Sequence, residues 1–307
     1  MIFIIVIIAS IWFLFQLLSY SFEVISRDQS VQLTDNEVVS KEVSYLEKID
    51  HFSLQEFDEN NQLSHLVEAK NYFNFKHEPA LLLEPQVTTY NDIGKPDYIL
   101  SSERAHYLES GEIQFKGNVD LHAKNGATHK MYTEELLVGT KTDDLISNKP
   151  VTYLAEKGEI DAQGMYMQTK EDKMQLTGKT QINQNTGAKI LTKDLFVDQS
   201  DGQKHYYSKD DTTYLGKGNK VYAKGIDLDM NKELMQLLGK VKILQNTGSK
   251  INTQDLLVDQ SDDGEVYTTK ERIHYQSKVA DIRAKGMHYD TIKQKIRLTG
   301  GVKAYYE

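Results

Sequence analysis

The chain has 307 residues, a formal net charge of −9, four prolines, eighteen tyrosines and no cysteine. The acidic balance argues against nucleic acid as a partner, because a phosphate backbone calls for a basic surface. Without cysteine there is no disulfide framework, thiolate metal site, thiol nucleophile or lipoprotein acylation site.

From Met1 to Phe22 no side chain is charged, and the run of Ile, Val, Phe, Leu and Trp12 is broken only by a few polar residues such as Ser10 and Gln16. As a helix it would reach ~33 Å, enough for a hydrocarbon core of ~30 Å. The segment lacks a basic start and an A-x-A site, and its apolar run is too long for a secretory leader, so an uncleaved transmembrane anchor over 1–22 is expected rather than a signal peptide. Orientation is not encoded by charge, since Arg27 is balanced by Glu23 and Asp28. Residues 23–47 are polar and read as a tether, in which the Glu-Val-Val-Ser-Lys-Glu-Val stretch over 37–43 could be coil or a short helix.

Strand patterns begin at Phe52. Phe52, Leu54 and Phe57 lead into a turn at Asp58-Glu59-Asn60-Asn61, and Leu63, Leu66, Ala69, Tyr72 and Phe73 follow. Pro85-Gln86-Val87, a turn around Gly94-Lys95-Pro96, and Tyr98-Ile99-Leu100 come next. Turn clusters at such short spacing indicate antiparallel strands.

A phrase ending in glycine then occurs four times, at Ile113–Gly117, Met174–Gly178, Met235–Gly239 and Ile296–Gly300, with the glycines 61 residues apart. A second phrase keeps the same step at Ile160–Gly164, Val221–Gly225 and Ile282–Gly286. Two phrases in one register mark a duplicated unit. Within each copy the period is two: Ile113, Phe115, Val119 and Leu121 share one parity while Gln114, Lys116, Asp120 and His122 fill the other. The apolar parity flips after Gly164, Gly225 and Gly286, which predicts a one-residue bulge at each. Asn185-Thr186-Gly187 and Asn246-Thr247-Gly248, like Lys124-Asn125-Gly126 before them, predict hairpins. One repeat of this length should hold about five strands.

The apolar parity supplies candidate residues for lining a lipid groove: Ile113, Phe115, Val119, Leu121, Met174, Leu176, Ile182, Met235, Leu237, Val241 and Ile243. The plainer reading is that they fill a closed core. The last strand, with Ile296, Leu298, Val302, Ala304 and Tyr306, alternates without a proline and is a candidate docking edge for strand addition by a partner; the plainer reading is a frayed terminus. Enzymatic patterns are missing. The nine histidines show no H-E-x-x-H spacing, and there is no G-x-S-x-G elbow, Walker loop or dinucleotide fingerprint. The aspartates at 198 and 259 lack the calcium-loop pattern and read as turns. No cofactor, metal site or catalytic residue is implied.

Several phrases together carry a family resemblance. They are the N-terminal anchor, Phe52-x-Leu54-x-x-Phe57 with its Asp58–Asn61 turn, Glu68-Ala69-x-x-Tyr72, Pro85-Gln86-Val87-x-x-Tyr90, Gly94-Lys95-Pro96-x-Tyr98-x-Leu100 and Ile113-x-Phe115-x-Gly117-x-Val119. In this order they resemble LptC, the lipopolysaccharide-export protein of the Gram-negative inner membrane, while the glycine-strand repeats resemble LptA and the N-terminal domain of LptD. The chain departs from LptC in having extra repeats, and in Ser101 and Ser102, where a small apolar residue is more usual.

The resemblance implies an all-β fold, an elongated open β-jellyroll of stacked antiparallel strands preceded by a single transmembrane helix. Residues 48–112 would form the first jellyroll strands, and residues 113–307 three 61-residue repeats with a terminal edge strand. It also implies a non-enzymatic, single-pass inner-membrane protein with its large domain in the periplasm. Such a protein would receive lipopolysaccharide from the inner-membrane Lpt ABC transporter and pass its acyl chains towards LptA or LptD. The alternative is a membrane-anchored structural or adhesive β-stack with a sealed core.

Overall fold

Alternating Val, Ile, Thr and Tyr favour extended backbone, because branched and aromatic side chains fit a half-buried pleated surface. The computed structural model describes residues 29–33, 41–58, 60–91, 93–124, 129–139, 144–168, 171–202, 204–261 and 264–306. Among these, every regular element is a strand except one 3-10 turn, Ser200–Gly202. The fold is all-β and antiparallel, consistent with a jellyroll. The anchor expected over 1–22 lies outside the described residues, and among the described residues no helix is long and apolar enough to cross a membrane.

Contacts divide the chain into two compact units, residues 1–156 with 166–170, and residues 157–165 with 171–307. The first contains β1 (Gln29–Leu33), β2 (Lys41–Phe57), β3 (Leu63–Phe75), β4 (Ala80–Leu83), β5 (Gln86–Tyr90), β6 (Pro96–Ser101), β7 (Arg104–Tyr107), β8 (Glu112–Ala123), β9 (Lys130–Gly139), β10 (Asp144–Ser147) and β11 (Val151–Ala155). Of the stretch 37–43 expected as coil or short helix, residues 41–43 are described and are strand, because β1 and the start of β2 pair antiparallel from Gln29 opposite Tyr45 to Leu33 opposite Lys41. Val31 with Leu33, and Val43 with Tyr45, hold the strand period in the sequence.

Long strands share their halves between short ones. β3 bonds β4 along residues 71–73 and β5 along 65–68; β8 bonds β7 along 113–116 and β6 along 120–123. A strand whose halves serve different neighbours can turn a corner between two sheet layers. Phe73, Phe75 and Leu81 pack together in this unit with Tyr45 and Leu83, and the Tyr45 ring meets Phe73 edge-on at 5.5 Å.

The second unit holds β12 (Gly158–Ala162), β14 (Lys173–Gln184), β15 (Lys189–Asp198), β16 (His205–Ser208), β17 (Thr212–Gly216), β18 (Asn219–Ala223), β19 (Gly225–Asp229), β20 (Leu234–Gln245), β21 (Lys250–Asp259), β22 (Val266–Gln276), β23 (Ala280–Asp290), β24 (Lys295–Leu298) and β25 (Lys303–Tyr306). Strand β13 (Gly164–Gln168) contributes residues to each unit. Against about five strands expected per repeat, the repeat from β14 to β19 has six and the next, β20 to β23, has four. The added one arises because the second glycine phrase is divided, with β18 ending at Ala223 and β19 starting at Gly225.

The bulges expected at Gly225 and Gly286 lie on the facing strands instead. Tyr222 pairs with Lys242 but Gly225 with Leu238, so the extra residue is on β20, across from Gly225. Opposite Gly286 the two residues between Thr269 and Arg272 supply it, on β22. On the glycine strands themselves the register slips between Leu176 and Lys179 and between Leu237 and Lys240. Gly178 and Gly239 take φ of +74° and +72° there, a region that glycine enters without a steric penalty. Facing each is an aspartate whose carboxylate accepts the glycine N–H at 2.7 Å, Asp194 for Gly178 and Asp255 for Gly239. Both predicted hairpins in this unit are formed: Gly187 and Gly248 have φ of +86° and +87°, and each donates its N–H over 2.9 Å to the carbonyl three residues back. The third, at Asn125-Gly126, lies outside the described residues.

Candidate functional site: the inward apolar faces

The apolar parity of the glycine strands is turned inward in both units. In the first, Ile113 pairs with Val138 and Phe115 with Leu136; both candidates are buried, as is Val119, while Leu121 is half-buried. In the second, Met174 pairs with Val197, Leu176 with Leu195 and Ile182 with Ile190. One period later Met235 pairs with Val258, Leu237 with Leu256 and Ile243 with Ile251. These six and Val241 are buried, and Leu176, Met235, Leu237 and Ile243 have no exposed area at all. Fully burying each such side chain contributes about 1.5–3 kcal/mol.

Polar groups on these faces are paired. The Thr192 and Thr212 hydroxyls meet at 3.0 Å. Ser208 donates to the Lys193 carbonyl at 2.6 Å, and Thr269, one period on, donates to the Gln254 carbonyl at 3.1 Å. The repeated hydroxyls therefore satisfy the backbone beside each bulge rather than opening a reactive site.

The candidate docking strand sits differently. Ile296 and Leu298 on β24 are half-buried, whereas Val302 is 50% exposed, Ala304 is exposed and Tyr306 is 76% exposed. β25 bonds β23 through Ile282 opposite Ala304 and Ala280 opposite Tyr306. Among the described residues no strand pairs with its other edge.

Two polar clusters went unnoticed in the sequence. On β3, His65 is 2% exposed, its Nδ1 lies 3.0 Å from the Ser64 hydroxyl, and its Nε2 is buried without a partner. Burial lowers its pKa to about 4 and raises that of Glu56, 3.9 Å away, to about 7, so both groups are neutral near pH 6. In the second unit the carboxyl of Glu265, 4% exposed, receives the hydroxyls of Tyr214 at 2.7 Å and Tyr267 at 2.9 Å. A polar residue on an apolar parity, as His65 is, was the available signal. Three other histidines are half-buried strand residues beside aspartates: His205 with Asp227 and His122 with Asp120 at 2.6 Å, His274 with Asp281 at 2.8 Å. Asp198 and Asp259 accept the N–H and hydroxyl of Ser200 and Ser261, which makes them turn residues and holds their pKa values low. Among the described residues no group of three potential ligands could hold a metal ion.

A family model described as lipopolysaccharide-assembly, LptC-related, matches residues 3–185 and 231–307. No curated protein matches the chain. An all-β architecture is what the family resemblance implied, and the match extends from the first strands into the repeats. The chain belongs to the LptC family, and so takes part in lipopolysaccharide transport.

Proposed function

We propose that this protein is a membrane-anchored periplasmic bridge component of lipopolysaccharide export. Residues 1–22 anchor it in the inner membrane beside the Lpt ABC transporter, which supplies the lipid. Residues 48–112 form the receiving jellyroll strands and residues 113–307 extend the carrying surface. The acyl chains travel on the inward apolar faces, past Ile113, Phe115, Val119 and Leu121 and then past Met174, Leu176, Ile182, Met235, Leu237, Val241 and Ile243. The edge formed by Ile296, Leu298, Val302, Ala304 and Tyr306 hands them to an LptA or LptD jellyroll by strand addition.

The observation that carries this reading is one apolar pattern, repeated at 61 residues and turned inward in the first three of its four copies. Hydrating a methylene costs ~0.8 kcal/mol, so a twelve-carbon chain needs cover worth about 10 kcal/mol, which a continuous apolar face supplies. The rival reading, a sealed structural stack, draws its support from the complete burial of Leu176 and Leu237. Light-induced crosslinking in cells decides between them. A photoreactive residue at Leu176 should capture lipopolysaccharide and one at the exposed Lys179 should not. Capture at neither position by a folded, anchored protein would leave the sealed stack.

A further inference from the structure

The inward faces of the second unit are apolar, yet this unit also holds a cavity of about 610 Å³ whose lining mixes apolar and polar side chains. That size lies within the ~300–1,000 Å³ span of small-ligand sites. Its walls come from turns and strand ends that are far apart in sequence. Leu228 and Met230 form an apolar wall, and Gln184, Gln260 and Glu265 a polar one.

The polar wall is a connected network. Glu265 accepts from the two phenols already described and from the Lys217 N–H at 3.2 Å. Burial and the neighbouring carboxyl raise the pKa values of both tyrosines, which keeps their protons in place as donors. Gln260 donates to the Tyr214 oxygen at 2.9 Å and exchanges two bonds with Gln184, at 3.2 and 3.3 Å. At the rim Lys157 donates to Glu233 at 2.6 Å and to the Met230 carbonyl at 3.1 Å. A buried carboxyl and a reciprocal amide pair cost free energy to desolvate and to align. An apolar filling would serve a sealed core at lower cost.

Charge selects the class of occupant. The lining holds two acidic residues, Glu265 and Glu233, and two basic ones, Lys157 and Lys217, so no net charge favours an anion or a cation. A neutral group rich in hydroxyls is repelled by neither and can both donate to and accept from the amides. We propose that this cavity binds the glycosyl head of an amphiphile, with the sugar hydroxyls on Gln184, Gln260 and Glu265 and its apolar side against Leu228 and Met230. The proposal rests on the acyl-carrying reading of the same unit and adds a grip on the polar part of the cargo.

The test uses the full chain in lipid nanodiscs, labelled with ¹³C at the methionine methyls. Met230 reports on the cavity, while Met174 and Met235 report on the inward face. Hexyl maltoside should shift the Met230 methyl saturably. Hexyl phosphate and hexyltrimethylammonium, with the same tail, should need at least about tenfold higher concentration. Substituting both glutamines, Gln184→Ala with Gln260→Ala, should weaken the maltoside response about tenfold with the free-state Met235 signal unchanged. Ser261→Trp, on the exposed rim, should block it without touching the buried network. Equal responses to all three hexyl probes, or full binding by the variants, overturn the proposal. If Met174 and Met235 respond and Met230 does not, the cavity proposal falls and acyl carriage stands; if no methionine responds to any probe, both fall.

Discussion

Gly239 shows how one residue sets the course of a strand. Its φ of +72° places it where a Cβ is strained, and an added Cβ would come within 3.0 Å of the Lys224 Cβ. Gly239→Val should therefore cost about 1–3 kcal/mol in denaturant unfolding. Gly248→Asn, at φ +87° with open space around it, should cost under ~1 kcal/mol because asparagine tolerates this region in turns. Equal costs would show that the bulge does not constrain the fold. The Glu56–His65 pair makes a second residue-level prediction. Between about pH 4 and 6.5 the unfolded chain binds a proton on His65 that the folded chain refuses, so this term weakens the fold as pH falls. Glu56 acts oppositely: the folded chain keeps its proton up to about pH 7 while the unfolded chain releases it near 4.5, so stability is lost as pH rises through that window. The two terms offset each other where they overlap. Glu56→Gln removes one, and its stability relative to the parent should climb as pH goes from 4.5 to 7 in urea titrations; parallel pH profiles would show that Glu56 titrates normally.

Among the elements, β25 is set apart by its exposure. A short strand with Ala304, Tyr305 and Tyr306 exposed, the exposed Val302 just before it and one unpaired edge is an aggregation hazard unless something covers it. Removing residues 296–307 should abolish recovery of an LptA-type jellyroll in a pull-down while membrane association persists. Full recovery by the truncated chain would assign partner binding to another edge. The long glycine strands carry a different kind of information. Their register slips at the same place in β14 and β20, and the aspartate opposite closes the gap each time. The repeated glycine marked the place of the bend, but not which of the two paired strands carries the extra residue. Counting parity along one strand cannot reveal that, because a bulge is a property of a pair.

For the molecule as a whole, the 61-residue step should be a unit of construction. Ile160 on β12 pairs with Ile182 on β14, and Val221 on β18 pairs with Ile243 on β20, one period later. Excising residues 174–234 would bring β12 against β20 in the register it now keeps with β14. The shortened chain should fold cooperatively, with strand-type circular dichroism and a smaller urea m-value, since m follows the surface exposed on unfolding. Loss of a cooperative transition would show that the repeats are not interchangeable.

The features legible in the bare chain arise from interactions between near neighbours along it. Alternation over two residues placed Leu176, Leu237 and Ile243 on the inward face, and the Asn-Thr-Gly turns placed both hairpins, because pleating and turn chemistry are local. Family membership was equally legible in the order of short phrases from Phe52 to Val119. The polar clusters were not. Tyr214 reaches Glu265 across 51 residues, Gln184 meets Gln260 and Lys157 meets Glu233 across 76, and each contact forms only when successive repeats lie side by side. Glu265 in the sequence is one acidic residue after a turn. Stacking alone removes it from water and surrounds it with the two phenols that make its burial tolerable.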